Sequence, residues 1–213
     1  NKNGPDYERN KSRILDKIDV VDATFLTTSP SVLPFLNNKN SFYIPNPSDK
    51  AFETLNNYNN ACNVDVFFAL SHGVHRGVLK SGKTDDRIIF LKDLINKTPN
   101  VKFDIYGIDK VQPIWADHYF KTISNAKMGL NLSRGKAIKY YSSDRITQIV
   151  GNGLACLIDE RTKYQNFFNN SEMIFYKNAN DLSEKILKTV SDEKYRKKIG
   201  KNGKEKYMKY FNS

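Results

Sequence analysis

The residues best suited to chemistry in this 213-residue chain lie between Tyr140 and Asp159, in the sequence YYSSDRITQIVGNGLACLID. Ser142, Ser143 and Asp144 are residue types that begin helices, and a helix start offers unpaired backbone N–H groups and a positive dipole end to an anion. Isoleucine and valine then recur at helical spacing until two glycines end the helix, and the apolar residues that follow predict a buried strand. The segment therefore predicts a binding site for a nucleotide diphosphate.

A second group of residues that could bind a phosphate lies in the loop after the first long predicted strand. Between His72 and Thr84 the chain combines three cations with three glycines, and the site candidates among them are Gly73, Arg76, Lys80 and Lys83. Glycine lets a backbone approach a ligand closely, and the cations suit a pyrophosphate. The alternative interpretation is a surface hairpin whose cations face solvent. His72 and His75 have no neighbouring carboxylate or cysteine, so we predict no metal site.

Further candidates come directly after two other predicted strands. Tyr106 and Gly107 could let a base or a ribose approach the backbone, or they could be a core aromatic residue and a simple turn. Arg134, in the sequence LNLSRG, and Arg145 could both face a phosphate or a sugar hydroxyl. Each of these arginines could instead form a structural ion pair with an aspartate of the neighbouring segments.

These loops need a scaffold, which the apolar pattern predicts from residue 64 onward. Strands are expected at 64–70, 102–108, 127–133, 155–159 and 173–178. Helices are expected at 85–96, at 115–125, after Ser143 and in two stretches near the C-terminus. This alternation predicts an α/β fold, a Rossmann-like parallel sheet with helices on both faces, whose ligands bind at the carboxyl ends of the strands.

Length and composition predict one compact domain with a fragment attached to its start. The chain is 39% hydrophobic and 12% aromatic, which is enough for a packed core. We expect residues 1–47 to be the tail of a truncated N-terminal domain and a linker that ends in the stiff sequence IPNP, and residues 48–213 to be a C-terminal ligand-binding domain. The first part would contain a helix at 9–20, a strand at 23–30 and a helical turn in VLPFL.

The lengths of the apolar segments and the spacing of the cysteines predict the cellular location of the protein. No run approaches the roughly 20 residues that a membrane-spanning helix needs, and no apolar signal segment begins the sequence. Cys62 and Cys156 have neither disulfide-framework nor zinc-site spacing. We therefore expect a cytoplasmic protein with two buried, reduced cysteines.

The net charge of +11 raises the question of an anionic partner. The segment from Lys194 to Tyr210 carries eight basic residues and one acidic residue, while asparagine-rich stretches such as NYNNACN indicate a compositional bias. We interpret most of the charge as a solvated surface, and the alternative is peripheral contact with anionic lipids at the inner face of a membrane. Nucleic acid is not an expected partner, because the aromatic residues fall within predicted core elements rather than on a stacking platform.

Three pieces of sequence, taken in order, resemble a known family. SSDRITQIVGNGLACLID resembles a helix with the core R-x-x-E-x-x-A-x-G followed by a strand. TKYQNFFNNSEMIFYKNANDLSEKI resembles the aromatic helix, strand and helix start that come next, and KYRKKIGKNGKEKY resembles a basic terminal helix. From about Val64 to its end, the chain is thus similar to the C-terminal, donor-nucleotide-binding half of GT-B glycosyltransferases of group 1, which include CgeB-like proteins.

The resemblance implies transfer of a sugar from a nucleotide-diphosphate sugar to a glycan, lipid-linked or protein acceptor, in cell-envelope polysaccharide synthesis. It implies neither a metal ion nor another cofactor. Arg76 with Lys80 or Lys83 would offset the charge of the donor diphosphate, and the backbone of residues 142–145 with the Arg145 guanidinium would bind the same phosphates.

The resemblance also carries two departures and an expectation about activity. Gln148 falls where the family has a glutamate that holds the ribose hydroxyls, and Tyr140 falls where it has the first acid of the E-x7-E pair. The catalytic side chain is expected on the N-terminal, acceptor-binding domain, so the isolated chain should bind donor and transfer little. The alternative is a non-catalytic nucleotide- or nucleic-acid-binding module that uses the basic surface. A dinucleotide-dependent oxidoreductase is disfavoured, because no GxGxxG follows the first strand.

Overall fold

A computed structural model describes residues 5–36, 40–70 and 85–212. The strands are β1 (Thr24–Leu26), β2 (Ser41–Tyr43), β3 (Val64–Ala69), β4 (Phe103–Tyr106), β5 (Ala126–Asn131), β6 (Ala155–Asp159) and β7 (Ile174–Tyr176). The helices are α1 (Pro5–Ile18), α2 (Asp86–Lys97), α3 (Ala116–Ile123), α4 (Asp144–Gly151), α5 (Ala179–Ser191) and α6 (Glu193–Tyr210).

Strands β3 to β7 form a parallel sheet in the order β4-β3-β5-β6-β7. The chain passes from β3 outward to β4, returns to β5 on the other side of β3, and then continues outward to β7. Strands β3 and β5 are therefore the neighbours at which the direction of winding reverses. In doubly wound sheets, ligands bind in the crevice at the carboxyl ends of the strands at this switch point.

Apolar side chains cover both faces of the sheet, because its inner strands are apolar on both sides. Val66 and Phe68 of β3 belong to a buried cluster with α2 and α5, whereas Phe67 belongs to a cluster with α3 and α4. Helix α4 lies close to β5 because residue 129 is glycine, where a Cβ would sit 2.5 Å from Cγ1 of Ile149. The predicted α/β fold, a Rossmann-like parallel sheet with helices on both faces, is confirmed.

Residues 46–62 extend from the end of the predicted linker into the start of the predicted C-terminal domain, and we call them the linker segment. Hydrogen bonds hold this segment against the sheet domain. The fully buried Asn57 donates from Nδ2 to the carbonyl oxygens of Ile123 and Ala126, at 2.7 and 2.8 Å. Arg196 of α6 is also buried, and its Nη1 donates to the carbonyl oxygen of Asn57 at 2.8 Å. These bonds fix the position of the linker segment on the domain.

Strands β1 and β2 form a separate parallel pair that contacts the loop before α4. Just after β1, the carbonyl oxygen of Thr27 accepts a hydrogen bond from the backbone N–H of Ser142 at 2.7 Å. The backbone N–H of Ser29 donates to the carbonyl oxygen of Lys139 at 3.0 Å. The N-terminal part therefore supports the start of α4 from outside the sheet domain.

Several predicted elements are shorter in the structure. The strand expected at 102–108 ends at Tyr106, because Gly107, Asp109 and Lys110 have φ values of +74°, +52° and +70° and leave the extended region. The expected strand at 23–30 covers Thr24–Leu26, and two 3-10 turns, Pro30–Val32 and Pro34–Leu36, follow it. Prolines at these positions favour turns over a longer strand.

Candidate functional site

A cavity of about 730 Å³ opens at the switch point between β3 and β5. Its volume lies within the range of roughly 300–1,000 Å³ that is typical of small-molecule sites. Its walls come from the ends of β3 and β5 and from the starts of α2, α3 and α4. The described residues that line it are Ala69, Leu70, Arg87, Ile114, Trp115, Ala116, Tyr119, Phe120, Ser133, Arg134, Lys136, Ile138, Tyr141, Ser143, Asp144, Arg145 and Gln148.

The N-terminus of α4 points its first residues at this cavity. Ser143 is the N-cap, with extended φ and ψ of −139° and 160°, and its side chain makes no capping hydrogen bond. Within the described part of the chain, no group accepts a hydrogen bond from the backbone N–H of Asp144 or Arg145. The Asp144 carboxylate is held by Asn46 Nδ2. An open helix start of this kind attracts an anion through its N–H groups and its dipole.

Arg145 bridges the two strand ends that flank the switch point. Its Nε donates to the carbonyl oxygen of Ala69 at 3.1 Å, and its Nη1 donates to that of Leu132 at 3.0 Å. Burial, together with the nearby charge of Arg87, lowers the pKa of Arg145 to about 10, so the side chain stays charged at neutral pH. Among the described carboxylates, none forms an ion pair with it. The positive charge of Arg145 is therefore available to an anion in the cavity.

Arg87 is a cavity residue that the sequence reasoning did not identify. Its Nε and Nη2 donate to the two carboxylate oxygens of Asp85 at 2.9 and 2.7 Å, and both side chains are buried. Burial alone would raise the pKa of Asp85, but the hydrogen bonds and charge of Arg87 outweigh it and hold that pKa below its usual value. The same Asp-x-Arg arrangement recurs where Asp159 accepts from Arg161. This spacing at a helix start is the signal that could have revealed Arg87.

Gln148 lies one turn after Arg145, on the same side of α4. Its Oε1 accepts a hydrogen bond from the Tyr119 hydroxyl at 2.6 Å, which holds the amide at the wall of the cavity. Burial raises the pKa of Tyr119, which keeps the hydroxyl protonated as a donor. Gln148 also lines a second cavity of about 270 Å³ that adjoins the first and shares Tyr119, Phe120 and Asp144 with it.

One wall of the larger cavity is aromatic and apolar. Trp115, at the start of α3, is 60% exposed, and Phe120 lies one turn further along the helix. Ile114 is buried beside them and lines the same cavity. Exposed aromatic faces beside polar groups suit the flat base of a nucleotide. The sequence reasoning placed a helix start here but did not assign Trp115 to the site.

Tyr140 does not line the cavity. Its φ is +60°, and its ring packs against Phe167 and Tyr43, with centroid distances of 4.7 and 5.3 Å. The hydroxyl accepts a hydrogen bond from Asn166 Nδ2 at 2.6 Å. Tyr141 lines the cavity in its place. The left-handed backbone at Tyr140 thus directs this side chain away from the cavity and towards an aromatic cluster.

The structure brings together part of the predicted site. The candidates that line the cavity are Arg134, Ser143, Asp144, Arg145 and Gln148. The candidates Gly73, Arg76, Lys80 and Lys83 lie outside the described residues. Neither Arg134 nor Arg145 forms an ion pair with an aspartate in the described ranges, where Asp159 pairs with Arg161.

The remaining candidates make structural contacts instead. Ser142 is buried, and its Oγ accepts from the backbone N–H of Asn46 at 2.9 Å, so this side chain holds the linker segment. Tyr106 packs beside Phe67 in the apolar cluster on the α3 and α4 face. Gly107 donates its N–H to the carbonyl oxygen of Gln112 within a turn. For Tyr106 and Gly107, the geometry matches the alternative of a core aromatic residue and a simple turn.

Much of the basic surface of α6 is engaged within the chain. Lys204 Nζ donates to the carbonyl oxygens of Glu53 and Leu55 at 3.1 and 2.6 Å, and Lys206 Nζ pairs with Glu172 at 2.9 Å. None of the helices in the described ranges is long and apolar enough to span a membrane. The same ranges contain no cluster of three or more His, Cys, Asp or Glu side chains that could hold a metal ion.

Comparison with known proteins adds a family and several similar folds. The family model for glycosyl transferase-like proteins matches residues 87–213. No curated protein matches the sequence. TarM is similar in structure, with a TM-score of 0.67 and 15% identity over 96% of this chain and 43% of TarM. A structure of an S. aureus TarM mutant contains fondaparinux, α-GlcNAc-glycerol and UDP.

Two further solved structures share the fold. Sucrose-phosphate synthase from Thermosynechococcus elongatus has a TM-score of 0.56 and 14% identity over 99% of this chain and 60% of its own. Anabaena HepE, determined in complex with UDP-glucose, has a TM-score of 0.61 and 10% identity over 95% of this chain and 64% of its own. The chain therefore spans less than two thirds of each of these proteins. At such identities, the likeness concerns the fold, which is that of GT-B glycosyltransferases.

Proposed function

This chain belongs to the glycosyl transferase-like family, and on that premise we propose that it binds a nucleotide-diphosphate sugar and provides the donor side of sugar transfer. The observation that carries the proposal is Arg145, an arginine without a carboxylate partner among the described residues that joins the ends of β3 and β5 beneath an open helix start. The charge and the N–H groups of this arrangement suit a diphosphate.

The donor would lie along the cavity in a definite orientation. The diphosphate would contact Arg145 and the first N–H groups of α4, and the base would lie against Trp115 and Ile114. The ribose would then reach Gln148, whose amide is oriented by Tyr119. The UDP and UDP-glucose in the HepE structures support a nucleotide and a nucleotide sugar as the ligand class.

We propose that protein cations offset the charge that develops on the departing diphosphate. Arg145 has the geometry for this role, whereas the charge of Arg87 at the same cavity is already balanced by Asp85. We propose that Arg76, Lys80 and Lys83, which follow β3 in the sequence, contribute further positive charge. Preorganised charge of this kind stabilises a transition state directly, so transfer would not depend on a metal ion.

The acceptor and the location of the enzyme are further parts of the proposal. The α-GlcNAc-glycerol in the TarM complex supports a glycan-type acceptor, with lipid-linked or protein acceptors as alternatives. Because the chain spans 43% of TarM, the acceptor site and the catalytic side chain would belong to another domain of the whole enzyme. The CgeB-like subtype, a role in cell-envelope polysaccharide synthesis and a cytoplasmic location complete the proposal.

Isothermal titration calorimetry with UDP, GDP, ADP and their glucose conjugates tests donor binding. We expect one nucleotide class to bind with micromolar to millimolar affinity. Arg145→Ala should weaken that binding roughly 10- to 100-fold, because it removes a charge-assisted hydrogen bond to phosphate. Lys201→Ala, on the exposed side of α6, is the control and should leave binding unchanged. Absence of binding across the panel, or equal binding by Arg145→Ala, would show that the proposal is wrong.

A further inference from the structure

Glu53 lies beside Gln148, although it belongs to the linker segment rather than to the sheet domain. Both residues line the cavity of about 270 Å³ that adjoins the donor cavity. Gln148 lines both cavities, together with Tyr119 and Phe120, so the two cavities adjoin at this side chain. A ribose held by Gln148 would therefore lie next to the cavity that Glu53 lines.

The Glu53 side chain is held in place on several sides. Its Oε2 accepts from the backbone N–H of Asp49 at 2.7 Å. Its methylene groups pack over Gly151, where a Cβ would sit only 2.4 Å from Glu53 Cγ and 2.9 Å from Glu53 Cβ. Lys204 Nζ donates to the backbone carbonyl oxygens of Glu53 itself and of Leu55. The glycine at the end of α4 thus makes room for this one side chain.

A ribose diol has two O–H groups that need acceptors, and Gln148 offers one neutral amide oxygen. That oxygen has two lone pairs and already accepts from the Tyr119 hydroxyl, so it can accept from at most one O–H group of the diol. The other hydroxyl proton would then need a different acceptor. A carboxylate accepts such protons in charge-assisted hydrogen bonds, and no side chain in the described ranges donates to the second Glu53 oxygen.

We propose that Glu53 accepts hydrogen bonds from the ribose hydroxyls of the donor, as the carboxylate partner of the Gln148 amide. This rests on the proposed nucleotide-sugar function. An amide on α4 and a carboxylate on the linker segment would then share the ribose hydroxyls. Burial raises the pKa of Glu53, which fits a carboxylate that has lost water and gained few donors in exchange.

Calorimetry with UDP and GDP and with their 2′,3′-dideoxy forms tests this role. The wild type should prefer the ribonucleotide by about tenfold or more, as expected for a charge-assisted hydrogen bond. Glu53→Gln preserves shape and an acceptor for Asp49, and it should lose that preference while binding the dideoxy form as before. Glu53→Gln combined with Gln148→Glu should restore the preference, because the carboxylate then lies on α4. Glu205→Gln, exposed on α6, is the matched control.

The outcomes separate the two proposals. A Glu53→Gln variant that still prefers the ribonucleotide as strongly as the wild type would overturn the role of Glu53 and leave the donor site intact. Equal loss of affinity for both nucleotide forms would assign Glu53 a structural role instead, which also overturns the inference. Failure of the wild type to bind any of the four nucleotides would refute the proposed function, and the role of Glu53 with it.

Discussion

Replacing Asn57 by alanine should destabilise the protein by about 3 kcal/mol. The side chain is fully buried, and its Nδ2 is the donor to two carbonyl oxygens, those of Ile123 at the end of α3 and Ala126 at the start of β5. Alanine would leave both acceptors buried without that donor, at a cost of roughly 1–3 kcal/mol each. Alanine would also remove the Asn57 Oδ1 atom, which is buried without a hydrogen-bond partner among the described residues, so the total should lie in the lower half of the summed range of about 2–6 kcal/mol.

Urea denaturation is the assay, since an m-value of about 1–3 kcal/mol/M converts this loss into a midpoint shift of about 1–3 M. Asn60→Ala is the matched control, because Asn60 belongs to the same asparagine-rich stretch but is exposed. It should change stability by less than about 0.5 kcal/mol. If Asn57→Ala and Asn60→Ala had the same midpoint, the linker segment would not be fastened in the way described.

Two further substitutions test the contacts around the cavity. Asp85→Asn should cost about 3–5 kcal/mol, because it leaves the buried Arg87 without its carboxylate, whereas Asp93→Asn in an exposed pair of the same helix should cost under about 1 kcal/mol in the same denaturation assay. Similar losses for the two variants would contradict this view of Arg87. Gly151→Ala should displace Glu53 and weaken ribonucleotide binding about tenfold while sparing the dideoxy form, by calorimetry. Unchanged ribonucleotide affinity would argue against the position assigned to Glu53.

The sheet and its helices were predictable because their signals are local. Ile146, Ile149 and Val150 share one helical face, and the glycine after the helix adopts φ of +76° where the chain turns into β6. The ends of strands were less predictable. Gly107 indicated a turn in the sequence. The positive φ values of Asp109 and Lys110 were not predictable, because they depend on the path of the whole loop.

The candidate site was predictable only where the motif itself forms it. Arg145 and Gln148 lie on the predicted helix, so their place at the cavity follows from the helix start and the strand order. Glu53 lines the adjoining cavity because of the path of the linker segment, and nothing in its neighbouring sequence indicates that path. Asn57 lies in an asparagine-rich stretch that we attributed to compositional bias. Its side chain nevertheless joins the linker segment to α3 and β5. The roles of such residues depend on tertiary contacts, which cannot be predicted from a single sequence.

The backbone at Tyr140 limits what a substitution at this position can bring to the cavity. Its φ of +60° directs the side chain between Tyr43 and Phe167, so Tyr140→Glu would place a carboxylate against aromatic rings. The substitution would lose the ring contacts and would bring no acid into the cavity. An acid at this position would enter the cavity only if the loop before α4 changed its backbone as well.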